Sequence, residues 1–121
     1  MHTNLTGTKL RDANLDSADL TGVNLSHADL TNIILNAAVL NEADLDFANL
    51  GYAKLIRANL TNATLTHSNL NHSDATEANL TGADLTGANG GDIRLVQADL
   101  SGTIWYDGHT CAAQGSIGRC G

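Results

Sequence analysis

The side chains that could carry chemistry are few. Cys111 and Cys120 are the only cysteines among 121 residues, nine positions apart in a glycine-rich tail. That spacing is too wide for a C-x-x-C redox pair, and two cysteines alone make a weak zinc site. Either a disulfide joins them or both stay thiols. Closing this loop of ten residues would stabilise the fold by about 2.7 kcal/mol in the loop-entropy view. No histidine stands in a motif that would activate a thiol, so cysteine catalysis has no support. The run Gly90-Gly91-Asp92 occurs once, which is too little for a calcium site. No motif implies a cofactor. Thirteen acids oppose six bases, a net charge of −7. Without a basic patch, nucleic acid and anionic lipid are disfavoured partners. No apolar run approaches the ~18 residues of a membrane span. The chain starts its pattern at Thr3, so no signal peptide is expected, although a mature secreted chain with an added Met would read the same.

What positions these residues is a rhythm of five. All 18 leucines sit at multiples of five, and of the slots from 5 to 105 only Ala75, Gly90 and Trp105 depart. On an α-helix each residue turns ~100°, so every fifth side chain would scatter round the axis. On a straight strand successive leucines would point to opposite faces. They share one interior only if the chain turns between them. Four turns of ~90°, twenty residues, close one coil, and the next lies ~4.8 Å above on parallel-ladder hydrogen bonds. The expected architecture is all-β, about five coils stacked into a rod roughly 24 Å long, right-handed by the chirality of parallel crossovers. Two residues before each leucine comes a small one, as at Ala38, Ala58 and Ala78, which must also face inward. The residue between, usually Asn or Asp, faces out. The other two positions hold turn formers.

The segments ADLTG, ANLTN, ADLDF and ANLTG resemble the A(D/N)LXX consensus of pentapeptide repeat proteins, and the match runs in register from residue 3 to about 105. The resemblance implies a right-handed quadrilateral parallel β-helix. It also implies a family common in bacteria, especially cyanobacteria, most of whose members have no known biochemical activity. The organisation expected is a repeat rod over 1–105 and a C-terminal cap over 106–121. Trp105, in the next leucine slot, would lid the bore, and capping is expected at a solenoid end. The W-x-D-G…C…G-S-I-G-x-C tail is similar to tails of family members thought to be exported. A structural disulfide would point to periplasm or thylakoid lumen, with cytoplasm the alternative.

Stacking each residue on the one twenty later defines the sides. One is irregular. Ile34, Lys54, Asp74 and Arg94 form its outward column, followed by Asn36, Ile56, Thr76 and Val96, then Arg57, Glu77 and Gln97. Three of the six basic residues gather there beside isoleucines and a valine taken as exposed. Ile34, Lys54, Ile56, Arg57, Arg94 and Val96 are therefore the candidate partner face, because apolar and Arg residues together suit interfaces. Another side stacks His27, Phe47 and His67 as an aromatic ladder, too widely spread for zinc; Tyr52 and His72 share a further column. Gly90 leaves a leucine slot with no side chain to pack.

Three function classes follow. A non-enzymatic protein–protein interaction scaffold fits best, because a flat-sided rod has no loop long enough to build a pocket. The resemblance also raises a DNA-mimic modulator of gyrase, since some family members are acidic rods acting on that enzyme. An enzyme is excluded: the carboxylates recur at solvent-facing positions, with nothing to perturb them. No cofactor, metal or catalytic residue is expected. The partner is an unidentified protein, and the rod is a monomer or associates weakly end to end.

Overall fold

The computed structural model describes residues 3–112 and 117–120. Its unit is a turn of four residues that starts on a leucine. The amides of Thr8, Ala13, Ala18 and Val23 donate to the carbonyls of Leu5, Leu10, Leu15 and Leu20 at 3.0–3.2 Å. From Leu5 to Leu85 the third residue of every turn lies in the left-handed region, as a type II turn requires, whereas Asp92 after Gly90 does not. Gly7, Gly22, Gly82 and Gly87 suit it, but fourteen non-glycine residues adopt it too, among them Ala37 (φ 57°), Phe47 (59°) and Tyr52 (59°). Such a residue costs about 1–2 kcal/mol. It is held there because its amide donates to the coil above, as Phe47 does to Thr66 at 2.9 Å.

Four such turns bring the chain back over itself. Parallel bridges pair each outward residue with the one twenty later, in unbroken columns such as Asn4, Asn24, Asp44, Thr64, Asp84 and Ile104. Strand pairing is confined to these single bridges; among the described residues there is no helix, and hence none long and apolar enough to cross a membrane. The result is a parallel β-helix. Leu30, Leu50 and Leu70 are at most 2 % exposed, and Ala38, Ala58 and Ala78 are fully buried beside them.

The outward Asn and Asp are more than solvated surface. Most of them cap the following turn: Asp19 Oδ1 accepts from the Thr21 amide at 3.1 Å, Asn24 from Ser26 at 3.0 Å, Asp44 from Asp46 at 3.0 Å and Asn69 from Asn71 at 3.0 Å. This is the Asx turn, in which the side chain bonds the backbone two residues on. It satisfies an amide that neither the turn nor the ladder uses. The Thr21 and Ser101 hydroxyls, then their amides, hold Asp19 and Asp99 below the usual carboxylate range.

The two ends differ. At the first coil Leu5, Leu10, Leu15 and Leu20 are only partly covered, and a depression of about 330 Å³ opens between Thr3, Leu5, Asp19, Leu20, Thr21 and Val23. At the other end the chain reverses. Thr110 pairs antiparallel with Ile104, and Ile117 with Asp99. Trp105 is half-buried against the core and Cys111 is 1 % exposed within it.

Gly90 corrects the expectation of an unpacked slot. The phenol of Tyr106 swings into that space. A Cβ on Gly90 would overlap its hydroxyl and lie 3.1 Å from Cζ, and the Tyr106 hydroxyl donates to the Gly90 carbonyl at 3.1 Å. Burial pushes the Tyr106 phenol up to about 12.

Candidate functional site

The irregular side is built on the bridge column Asn14, Ile34, Lys54, Asp74, Arg94. Lys54, Arg57, Arg94 and Val96 are exposed, Val96 at 53 %. Ile34 and Ile56 are not, contrary to expectation: both are half-buried. Stacked coils cover the flanks of an outward side chain, and Asn36 below accepts from the Ile56 amide at 2.9 Å, so the isoleucines offer only their tips. Asp74, between two cations in the column, is spent on Thr76, accepting from its amide at 3.0 Å and its hydroxyl at 2.5 Å. Among the described residues Lys54 and Arg94 have no ion-pair partner, whereas Arg57 reaches Glu77 at 3.7 Å. That pair is exposed on both sides and adds little stability. The face is thus cationic on an acidic rod.

Tyr52 borders this face at the preceding corner and belongs with it. It is 59 % exposed and stacks on His72 with centroids 4.8 Å apart. The column alone gave it only a packing role. Its signal was chain position, two residues before Lys54. On the far edge of the neighbouring side, His27, Phe47 and His67 stack at 5.0 and 4.8 Å, and Phe47 is 55 % exposed.

At the cap, Cys111 and Cys120 are disulfide-bonded. Trp105 stacks on Tyr106 at 4.3 Å, and its amide donates to the His109 carbonyl at 2.8 Å. In the tail a histidine stands beside a cysteine without any motif placing it there. His109 Nε2 lies 3.2 Å from Cys120 Sγ, and its Nδ1 lies 2.5 Å from Asp107 Oδ1. No motif announced this, because the antiparallel return of the tail brings together residues eleven apart.

A rod of twenty-residue coils defines the class of β-helical solenoids. The pentapeptide repeat family model matches residues 1–36, 18–51 and 53–89 in eight copies, and the chain belongs to that family. Solved relatives include HetL from the cyanobacterium Nostoc sp. strain PCC 7120, involved in heterocyst differentiation regulation. It is 30 % identical with a TM-score of 0.64 over 88 % of this chain, which spans 61 % of HetL. Rfr23 from the cyanobacterium Cyanothece 51142 is 32 % identical with a TM-score of 0.65, over 84 % of this chain and 82 % of that one. A pentapeptide repeat protein of the Arabidopsis thaliana thylakoid lumen is 26 % identical with a TM-score of 0.50, over 88 % and 70 %. No curated protein sequence matches.

Proposed function

We propose that the protein is a non-enzymatic scaffold that docks a protein partner on the side carrying Tyr52, Lys54, Ile56, Arg57, Arg94 and Val96, with the tip of Ile34 extending it. The scaffold is a right-handed quadrilateral rod of about five coils over 1–105, closed by a cap over 106–121, working as a monomer or in weak end-to-end contact. The carrying observation is that Lys54 and Arg94 stand without ion-pair partners among the described residues, beside an exposed tyrosine and valine. Tyr and Arg dominate interface energetics, and unpaired cations select a partner surface rich in carboxylates. The disulfide and the lumenal relative support an oxidising compartment, periplasm or thylakoid lumen. Gyrase mimicry is less well supported, because no outward bridge column carries acids on two successive coils; Asp44 and Asp84, for example, are separated by Thr64. The test is capture from a periplasmic or lumenal extract, with the Ile56→Asp/Arg94→Glu variant alongside. Proteins retained by the wild type and lost by the variant support the reading; identical retention by both removes this face from it.

A further inference from the structure

The cap carries a constellation that a purely structural disulfide does not need. Cys111 is 1 % exposed and sits in the core, whereas Cys120 is only partly covered. The two sulfurs are therefore not equivalent to an incoming thiol. Beside the accessible one stands His109, its Nε2 3.2 Å from Cys120 Sγ. Asp107 fixes that ring, with its Oδ1 2.5 Å from Nδ1 and also accepting from the His109 amide at 3.1 Å. With Nδ1 facing the carboxylate, the ring turns Nε2 toward the sulfur. A base within hydrogen-bond reach of the nucleophile, oriented in turn by a third group, is the arrangement that activates a cysteine.

We infer that the cap is a thiol–disulfide exchange site, with Cys120 as the exchanging sulfur, Cys111 as the buried resolving sulfur, His109 as the proton acceptor and Asp107 as a positioning residue. The co-reactant is a thiol, RSH. Its thiolate attacks Cys120 Sγ; the bond between the two protein sulfurs breaks, and its electron pair leaves on Cys111, which takes one proton. A second thiolate attacks the sulfur of the R group, releasing Cys120 as thiolate and RSSR as product. The second proton resides on His109, paired with the Cys120 thiolate. Two thiols are oxidised and one disulfide is reduced. In reverse, the Cys120 thiolate attacks a disulfide, and Cys111 closes the ring by displacing the mixed-disulfide partner.

The experiment uses the full chain, reduced with dithiothreitol and desalted. An isolated thiol with a pKa of about 8.5 is roughly 3 % thiolate at pH 7; a His-paired thiol with a pKa near 7 is about half ionised. Thiolate absorbance at 240 nm is expected to be more than tenfold above that of the His109→Ala variant at pH 7. His109→Gln should behave like His109→Ala, which separates loss of the base from loss of packing. Treated with oxidised glutathione, the Cys111→Ser variant should trap glutathione on Cys120, read by peptide mass spectrometry. Wild type should release it and re-form the disulfide. Far-UV circular dichroism checks that each variant keeps the rod. Equal 240 nm absorbance with and without His109, or no glutathione trapped on Cys120, would overturn the assignment.

Discussion

The exchange between Gly90 and Tyr106 can be tested quantitatively. The ring of Tyr106 occupies the volume a leucine at slot 90 would fill, above Leu70, whose Cβ lies 3.3 Å from a Cβ built on Gly90. Truncating a fully buried large aromatic costs about 3–5 kcal/mol. Tyr106 is half-buried and makes one hydrogen bond to the Gly90 carbonyl, so Tyr106→Ala should cost about 2–3 kcal/mol. Gly90→Leu alone forces two side chains into one space and should cost about 1–3 kcal/mol. Together the changes restore the repeat. The new leucine occupies the vacated volume and returns about 1.5–3 kcal/mol, leaving the double variant near wild type. The coupling energy of the cycle is therefore about 3–6 kcal/mol, well above the roughly 0.5 kcal/mol scatter of independent sites. Urea unfolding followed by far-UV circular dichroism, with the disulfide oxidised, measures all four corners. Additivity within about 0.5 kcal/mol would show that Tyr106 does not fill the slot.

Leu50→Ala, at a fully buried position, should cost about 2–5 kcal/mol, while Asn62→Ala on an exposed corner should cost under about 1 kcal/mol; equal melting shifts would count against the inward assignment. Ser68 replaces an inward alanine, is 1 % exposed, and its hydroxyl has no hydrogen-bond partner among the described residues. Ser68→Ala should raise stability by about 1 kcal/mol, and an unchanged or lower melting temperature would refute this. Ala37→Gly relieves a residue held at φ 57°, partly offset by the greater flexibility of glycine in the unfolded chain; a gain of up to about 1 kcal/mol is expected, and a loss of that size would contradict the left-handed turn. Tyr106, raised from 10.0 to about 12 by burial, stabilises the fold fully below pH 10 and loses that contribution as pH rises through 12. Alkaline unfolding should shift in Tyr106→Phe, and an unchanged alkaline limb would place the phenol in solvent.

The rod was legible because a five-residue period leaves the leucines a single common side, and Ala38, Ala58 and Ala78 two residues earlier point with them. Turn positions occupied by Gly22 or Gly82 announce themselves, whereas Phe47, Tyr52 and Arg57 in the same conformation do not. Intrinsic preference disfavours them there, and ladder hydrogen bonds from neighbouring coils override it. The half-burial of Ile34 and Ile56 could not be read from the column, because it depends on how neighbouring coils cover their flanks. Tyr106 entered slot 90 by reaching across from another coil, and His109 met Cys120 only through the antiparallel return to Asp99. Contacts set by the repeat period were visible in the sequence; contacts made where the period ends were not.

Winding with a twenty-residue step fixes which amide bonds to which carbonyl, and through-hydrogen-bond scalar couplings in isotope-labelled protein read those pairs directly. The Leu50 amide should couple to the Asn69 carbonyl carbon and the Asn49 amide to that of Ala28, bonds of 2.7 and 2.9 Å in the structure. Couplings from these amides to carbonyls four residues earlier, or to any partner off the twenty-residue register, would contradict the β-helix and every face derived from it.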